Sequence, residues 1–178
     1  MTLAGAGWWC LCVGLACACS GAPSKPAAVP ASRSLPVEFA YRTLDGAVLD
    51  SFHTRGRATA LLFVTTFDWA SQVEARRLAA VVTRHRPQAY AGAVVLETDQ
   101  YKPLAEVFRS SLRLPYPVAM ADEPTRLGEG PFGPVSRVPT LVVLDRAGRE
   151  VWRKAGLCEA GEIEKALAEA SQTGSMVP

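Results

Sequence analysis

Cysteine is the residue type in this sequence with the clearest capacity for covalent chemistry. The chain of 178 residues has five cysteines, and four of them, Cys10, Cys12, Cys17 and Cys19, lie within the first 19 residues. Cys158 is the only thiol in the remainder of the chain. A lone thiol cannot form an intramolecular disulfide, so we expect Cys158 either to be buried and inert or to react with a thiol of another molecule.

A second candidate for chemistry is the polar stretch at residues 67–71, FDWAS, which lies between an apolar run and a helical pattern. Ser71 and Glu74 fit the S-x-x-E capping box, in which each side chain accepts a hydrogen bond from the other residue's backbone N–H. Asp68 would place a carboxylate near the positive end of the helix dipole. No histidine lies nearby in the sequence to act as a base, so we interpret this stretch as a capped helix start rather than a hydrolase site.

Other classes of site have little support in the sequence. His53 and His85 are isolated from each other and from any cysteine cluster, so no metal site is predicted. The chain has no phosphate-binding glycine loop and no dinucleotide fingerprint, so no cofactor is expected. The formal net charge is +2 without a basic stripe, which argues against a nucleic-acid partner.

The first 19 residues read as a targeting segment. Residues 2–19 contain no charged residue and are rich in Ala, Gly, Leu and Cys, which is typical of an export signal rather than a membrane span. Small residues Ala16 and Ala18 precede Cys19 in a pattern that resembles a bacterial lipobox, which implies acylation of Cys19. Cys17 is a second choice for the acylated residue. The alternatives are cleavage after Ala18 without lipid and an uncleaved anchor.

A tether follows the targeting segment. Residues 20–36 contain four prolines and only two charged residues, and such a segment cannot bury enough apolar area to fold. We therefore expect one folded domain at residues 37–171, followed by a short tail at 172–178. A domain of this length can bury a single hydrophobic core.

Strand and helix patterns alternate along the domain. Residues 121–137 form a long connection rich in Gly and Pro, and Leu104, Val107, Phe108 and Leu112 share one predicted helical face. The predicted elements are a hairpin at 37–52 that turns at 45–46, strands at 57–66 and 90–99, helices at 71–86 and 102–114, a hairpin at 140–156 that turns at 145–148, and a helix at 160–170. This order indicates the α/β class with a sheet of mixed strand direction.

Four stretches occur in the order found in one family. They are the hairpin and first apolar strand (43–64), the loop and first helix (65–78), the VPT loop with the LDRAG hairpin (136–151) and the KAG step (154–156). Together they resemble the thioredoxin-like fold, specifically the TlpA/ResA-type, or AhpC/TSA redoxin, family. The resemblance covers residues 37–170 and implies a central mixed β-sheet flanked by helices, with an N-terminal β-hairpin.

The resemblance also implies where the family's chemistry would lie. The two redox cysteines would occupy the positions of Asp68 and Ser71, so the active site is degenerate and the dithiol is missing. Glu74 matches a glutamate often found in the family's first helix. The proline before the second hairpin is cis in this fold, and its flanking backbone pairs with an extended peptide. The binding groove carried over from the family consists of Phe67, Trp69, Val138, Pro139 and Thr140.

These observations predict a function for the chain. We expect an exported, lipid-anchored thioredoxin-like protein of the bacterial cell envelope that faces the periplasm and works as a protein-binding or scaffolding module. Its expected partner is an extended segment of another envelope protein. The alternative is a thiol–disulfide oxidoreductase or antioxidant redoxin that acts through Cys158, which the fold would place near Asp68 and whose pKa a following helix start could lower. A third possibility is a purely structural domain within an envelope assembly.

Overall fold

The computed structural model of the protein describes residues 35–173. The predicted signal peptide, its lipidation site at Cys19 and most of the predicted tether lie outside the described residues, as do the last five residues. The strands are β1 (Ala40–Arg42), β2 (Val48–Asp50), β3 (Ala58–Val64), β4 (Ala89–Val95), β5 (Val118–Met120), β6 (Thr140–Leu144) and β7 (Glu150–Ala155). The α-helices are α1 (Ser51–Thr54), α2 (Trp69–His85), α3 (Lys102–Leu112), α4 (Glu123–Leu127) and α5 (Ala160–Gln172).

Five strands form the central sheet in the order β5-β4-β3-β6-β7. The pairs β3–β4 and β4–β5 are parallel, whereas β3–β6 and β6–β7 are antiparallel. Strands β1 and β2 form a separate antiparallel hairpin, and its turn contains Gly46 at a φ of 88°. The predicted α/β class, mixed sheet and N-terminal hairpin are therefore confirmed.

Strand β3 is the centre of the domain, and all seven of its residues are buried. Ala60, Leu62 and Val64 belong to the core on the face covered by α2, α3 and α5. Leu61 and Phe63 point to the other face and pack with the N-terminal hairpin and Phe132. A strand covered on both faces needs apolar residues at every position, which explains the uninterrupted apolar run in the sequence.

The structure differs from the predicted elements in several places. Helix α2 begins at Trp69, two residues before the predicted start at residue 71. Helix α1 lies where the predicted hairpin ends, the predicted connection before β6 contains α4, and β5 was not predicted at all. The three missed elements are five residues or shorter, too short to show a helical or alternating period in the sequence.

Between residues 35 and 173, none of the helices has the length and the apolar character that a membrane span requires.

Candidate binding site at the carboxyl end of the central sheet

Three loops meet at the end of the sheet where β3 and β4 finish and β6 begins. The backbone N–H and the hydroxyl of Thr66, in the loop after β3, donate to Glu97 Oε1 at 2.8 and 3.0 Å. The Val138–Pro139 peptide bond before β6 is cis. The Gly156 N–H donates to the Pro139 carbonyl at 2.7 Å, just beyond the end of β7. The Thr66–Glu97 bonds therefore join the loops after β3 and β4, and the Gly156–Pro139 bond joins the loop before β6 to the end of β7.

Asp68 is the N-cap of α2. Its backbone is extended, with φ −87° and ψ 124°, and its carboxylate accepts hydrogen bonds from Ala70 N at 3.3 Å and Ser71 N at 2.8 Å. The Ser71 hydroxyl donates to Asp68 Oδ2 at 2.8 Å. A carboxylate in this position satisfies the free N–H groups of the first turn and lies at the positive end of the helix dipole. Asp68 therefore has an ordinary capping role.

The predicted capping box of Ser71 and Glu74 is wrong. Because Asp68 caps the helix, Ser71 lies inside the first turn and Glu74 lies one turn further along α2. The Ser71 side chain is fully buried, and besides its bond to Asp68 it accepts a weak hydrogen bond from Thr65 N at 3.4 Å. A buried hydroxyl with these partners is not available to a substrate.

Glu74 joins α2 to the loop between β7 and α5. Its side chain is fully buried, and Oε2 accepts hydrogen bonds from Arg77 Nη1 at 2.9 Å and from Cys158 N at 3.1 Å. Arg77 Nη1 also donates to the Cys158 carbonyl oxygen. Both backbone groups of Cys158 are therefore held by charged side chains of α2. A buried carboxylate of this kind is stable only with such partners.

Cys158 lies against α2 at Glu74, and its side chain has no exposed surface. Burial raises the pKa of the Cys158 thiol above its ordinary value, and the adjacent Glu74 carboxylate raises it further. The expectation that the start of α5 could lower this pKa is wrong. The Glu159 N–H at that start is bonded to Glu162 Oε2 at 2.8 Å, and the Glu74 carboxylate raises the pKa of the thiol more than the Lys154 ammonium lowers it. A buried thiol with a raised pKa has little thiolate character.

Exposed apolar side chains surround the start of α2. Phe67 is 65% exposed and Trp69 is 70% exposed. The Phe67 ring contacts Tyr101 edge to face, with the ring centroids 5.5 Å apart. Beside Phe67, a groove of about 220 Å³ runs between α2 and α3 and includes Leu104 and Val107. This apolar surface, formed by Phe67, Trp69, Leu104 and Val107, is called the loop surface below.

Leu104, Val107, Phe108 and Leu112, predicted to share one helical face, all line this groove. Leu104 and Val107 are 41% and 57% exposed, whereas Phe108 is buried. Helical spacing in the sequence identifies an apolar stripe but cannot show that the stripe is wider than the core it covers. The predicted groove residues Pro139 and Thr140 are both buried. The Thr140 hydroxyl donates to the Arg137 carbonyl at 2.6 Å.

Among the predicted groove residues Val138, Pro139 and Thr140, Val138 is the one that is not buried. Its side chain is half-buried, and within residues 35–173 neither its N–H nor its carbonyl takes part in a backbone hydrogen bond outside the regular elements. An extended segment can pair with such a donor and acceptor in the manner of an added strand.

Comparison with known proteins gives a result for structure only. No protein-family model matches the chain, and no curated protein matches its sequence. Solved structures do match. A thiol:disulfide interchange protein of the thioredoxin family from Chlorobium tepidum TLS has a TM-score of 0.64 at 21% identity, over 80% of this chain and 99% of that chain. This domain has a thioredoxin-like fold.

Two further solved structures support the same fold. A DsbF homologue from Corynebacterium diphtheriae has a TM-score of 0.66 at 18% identity, over 78% of this chain and 87% of that chain. StoA from Bacillus subtilis has a TM-score of 0.60 at 20% identity, over 74% of this chain and 97% of that chain. Identities at this level establish the thioredoxin-like architecture and leave the activity to be argued from the site.

Metal-ligand side chains do not form a cluster in the described part of this thioredoxin-like domain. Within residues 35–173, no group of three or more His, Cys, Asp or Glu side chains is placed to hold a metal ion. His53 lies at the opposite end of the sheet, bonded to Asp50 at 2.9 Å, and His85 is in the last turn of α2. The sequence reasoning missed Glu97 and Arg77, which fix the loops, because each acts on backbone groups far from it in the sequence.

Proposed function

We propose that this protein is an exported, membrane-tethered binding module in which a thioredoxin-like domain has no redox dithiol. It holds an extended segment of another envelope protein against the loop surface and the backbone of Val138. One observation carries the proposal. The side chains at the two cysteine positions, Asp68 and Ser71, are bonded to each other and to the first turn of α2, while Phe67 and Trp69 beside them are exposed.

The chemistry of the exposed side chains supports a role in binding. Large aromatic side chains at a concave surface are the usual anchors of protein interfaces, because they bury much area with few rotatable bonds. Phe67, in the loop after β3, and Trp69, the first residue of α2, are two such side chains. The groove that Phe67 lines together with Leu104 and Val107 is mainly apolar. An isolated exposed apolar residue needs no explanation, but four around one loop indicate an interaction site.

The envelope location and the lipid anchor rest on the leader sequence. Residues 2–19 have the character of an export signal, and Cys19 follows the small residues that a lipobox requires. One fold neighbour is described as a secreted disulfide oxidoreductase, at 19% identity to this chain. A thioredoxin-like domain in the same compartment would meet extended segments of other exported proteins.

Site-specific photo-crosslinking in cells tests the binding proposal. A photoreactive phenylalanine analogue at position 69 should form an adduct with a protein partner. The same analogue at Val48, which is 50% exposed on β2, is the matched control and should not form that adduct. Adducts of equal yield at both positions would overturn the proposal, and so would the absence of an adduct at 69.

A further inference from the structure

The end of the domain opposite the loop surface also exposes large apolar side chains. Phe52 is 82% exposed and Leu35 is 78% exposed. The only ring that contacts Phe52 among the described residues is that of His53, with the ring centroids 5.5 Å apart. We propose that this end of the domain rests on an anionic phospholipid surface, with Phe52 in the interfacial region and neighbouring arginines against the headgroup phosphates.

Backbone contacts bring the segments of this end together. Val37 N donates to the Gly148 carbonyl at 2.8 Å, which places the first described residues beside the turn between β6 and β7. Gly56 N donates to the Arg146 carbonyl at 2.8 Å, and Arg146 Nε donates to the Gly56 carbonyl at 3.1 Å. The start of the domain, the segment after α1 and the β6–β7 turn therefore form one surface, called the arginine end below.

The arginine end has an excess of positive charge. Its carboxylates have basic partners, in the pairs Glu38–Arg55, Asp50–His53 and Asp145–Arg149. Arg57 and Arg146 have no carboxylate partner within residues 35–173: Arg57 lies 4.7 Å over the Tyr90 ring and donates to the His53 carbonyl, while Arg146 bonds only to the Gly56 carbonyl. Arginines near a surface of anionic lipid are attracted to it within a Debye length.

The point at which residues 1–34 join the domain is the reason for proposing a bilayer as the partner of this surface. The 34 residues before Leu35 enter the domain at the arginine end, and they include the predicted acylation site Cys19. The 16 steps from one Cα to the next between Cys19 and Leu35 span at most about 55 Å when fully extended. A lipid on Cys19 would therefore keep the arginine end within that distance of the bilayer that holds it.

An interfacial aromatic residue combined with basic residues is the chemistry that holds peripheral proteins on anionic lipids. In this arrangement β3 runs away from the membrane, and the loop surface lies beyond its far end, about 23 Å further out. The inference rests on the proposed membrane tether and is independent of the partner proposed for the loop surface.

Hydroxyl-radical footprinting of the full chain tests this orientation. The protein is bound to vesicles of phosphatidylcholine, or of an equimolar mixture of phosphatidylcholine and phosphatidylglycerol, and the oxidation of individual residues is measured by mass spectrometry. On the mixed vesicles we expect oxidation of Phe52 to slow several-fold while oxidation of Trp69, its matched exposed aromatic, stays unchanged. The protection of Phe52 should be lost at about 0.5 M salt and in the Arg146→Gln variant.

Several results would overturn the inference. These are equal oxidation of Phe52 on both kinds of vesicle, equal protection of Phe52 and Trp69, and protection that survives both high salt and the Arg146→Gln change. A mass measurement of Cys19 from cells separates the two proposals. An acylated Cys19 with an unprotected Phe52 removes the docking surface alone, and an unmodified Cys19 with a protected Phe52 removes the lipid anchor alone.

Discussion

The Ser71 hydroxyl donates a 2.8 Å hydrogen bond to Asp68 Oδ2, so the two side chains that the sequence resemblance aligns with the redox cysteines are bonded to each other. The carboxylate also accepts the backbone N–H groups of Ala70 and Ser71. A thiolate at the start of this helix would be stabilised by the same N–H groups and the same dipole. The start of α2 thus has an electrostatic environment that stabilises an anion. The anion present there is the Asp68 carboxylate, which caps the helix.

Removal of the Asp68 cap should destabilise the domain. Asp68→Ala loses both capping bonds, and we expect a loss of about 1 kcal/mol in the free energy of unfolding, measured by urea denaturation. Asp68→Asn keeps a side-chain acceptor for the backbone N–H groups and serves as the control, with a smaller loss. Equal losses in the two variants would show that the capping bonds are not the cause.

Two cysteines at these positions should form a disulfide. Because the side chains of residues 68 and 71 already meet, the Asp68→Cys/Ser71→Cys double variant should oxidise to an intramolecular disulfide that non-reducing mass spectrometry detects. The single variant Asp68→Cys is the control and should show a free, reactive thiol. A double variant that stays reduced under air oxidation, or that oxidises only between molecules, would contradict this geometry.

Cys158 should react slowly in the folded protein. A soluble alkylating reagent at neutral pH is expected to modify Cys158 at least about tenfold more slowly than an exposed thiol, because the side chain is buried and its pKa is raised. In denaturant the rate should reach that of a free thiol. Rapid alkylation of the native protein with a thiolate pKa below about 8.5 would instead support the single-thiol oxidoreductase.

The free energy of unfolding should fall over two successive ranges of alkaline pH. The pKa of the Cys158 thiol is raised on folding, so its contribution is complete below the ordinary thiol pKa of about 8.5 and falls as the unfolded state loses its proton above that pH. Burial raises the pKa of Tyr41 to about 12, so its contribution falls only above about pH 10.

The variants Cys158→Ala and Tyr41→Phe separate these two ranges. Urea unfolding as a function of pH should show that Cys158→Ala removes the decline that begins near pH 8.5. Tyr41→Phe should only lessen the decline above about pH 10, because burial also raises the pKa of Tyr116 and of Tyr90. Tyr41→Phe also loses the 3.0 Å bond between the Tyr41 hydroxyl and Thr125 Oγ1, at a cost of about 1 kcal/mol. A wild-type stability that stays constant from pH 7 to about pH 10 would contradict the assignment to Cys158.

Loss of the Glu74 charge should loosen the loop before α5. Glu74→Gln removes the buried partner of Arg77 and weakens the bond to Cys158 N, so we expect a loss of about 2 kcal/mol in the free energy of unfolding. It should also lower the pKa of the Cys158 thiol relative to wild type, since the negative charge beside it is gone. Glu162→Gln is the control for a change of charge near the same loop. The alkylation rate of Cys158 against pH distinguishes the two variants.

The parts of the fold that could be predicted are those whose cause lies in adjacent residues. The uninterrupted apolar run of β3 and the Asp45-Gly46 turn each contain their own signal. The three-residue strand β5 has no such signal and exists because it pairs with β4. In the site, the loop could be located from its neighbours in sequence, but its N-cap could not be assigned, because both Asp68 and Ser71 are good capping residues.

The environment of Cys158 could not be predicted, because it depends on a residue far away in the sequence. Glu74 and Cys158 are 84 positions apart, and the buried carboxylate that raises the pKa of the thiol becomes its neighbour only when α2 packs against α5. Sequence alone therefore identified the only thiol of the domain and gave the wrong direction for its pKa.

The bond between Asp68 and Ser71 also has a consequence for how a bound segment would dissociate. A dithiol changes its charge and covalent state with every cycle of oxidation. The affinity of an oxidoreductase for its substrate therefore depends on the redox potential of the compartment. A carboxylate bonded to a hydroxyl has only one redox state. A segment held beside it would leave at its own dissociation rate, and its occupancy would follow its affinity and concentration without dependence on the redox state.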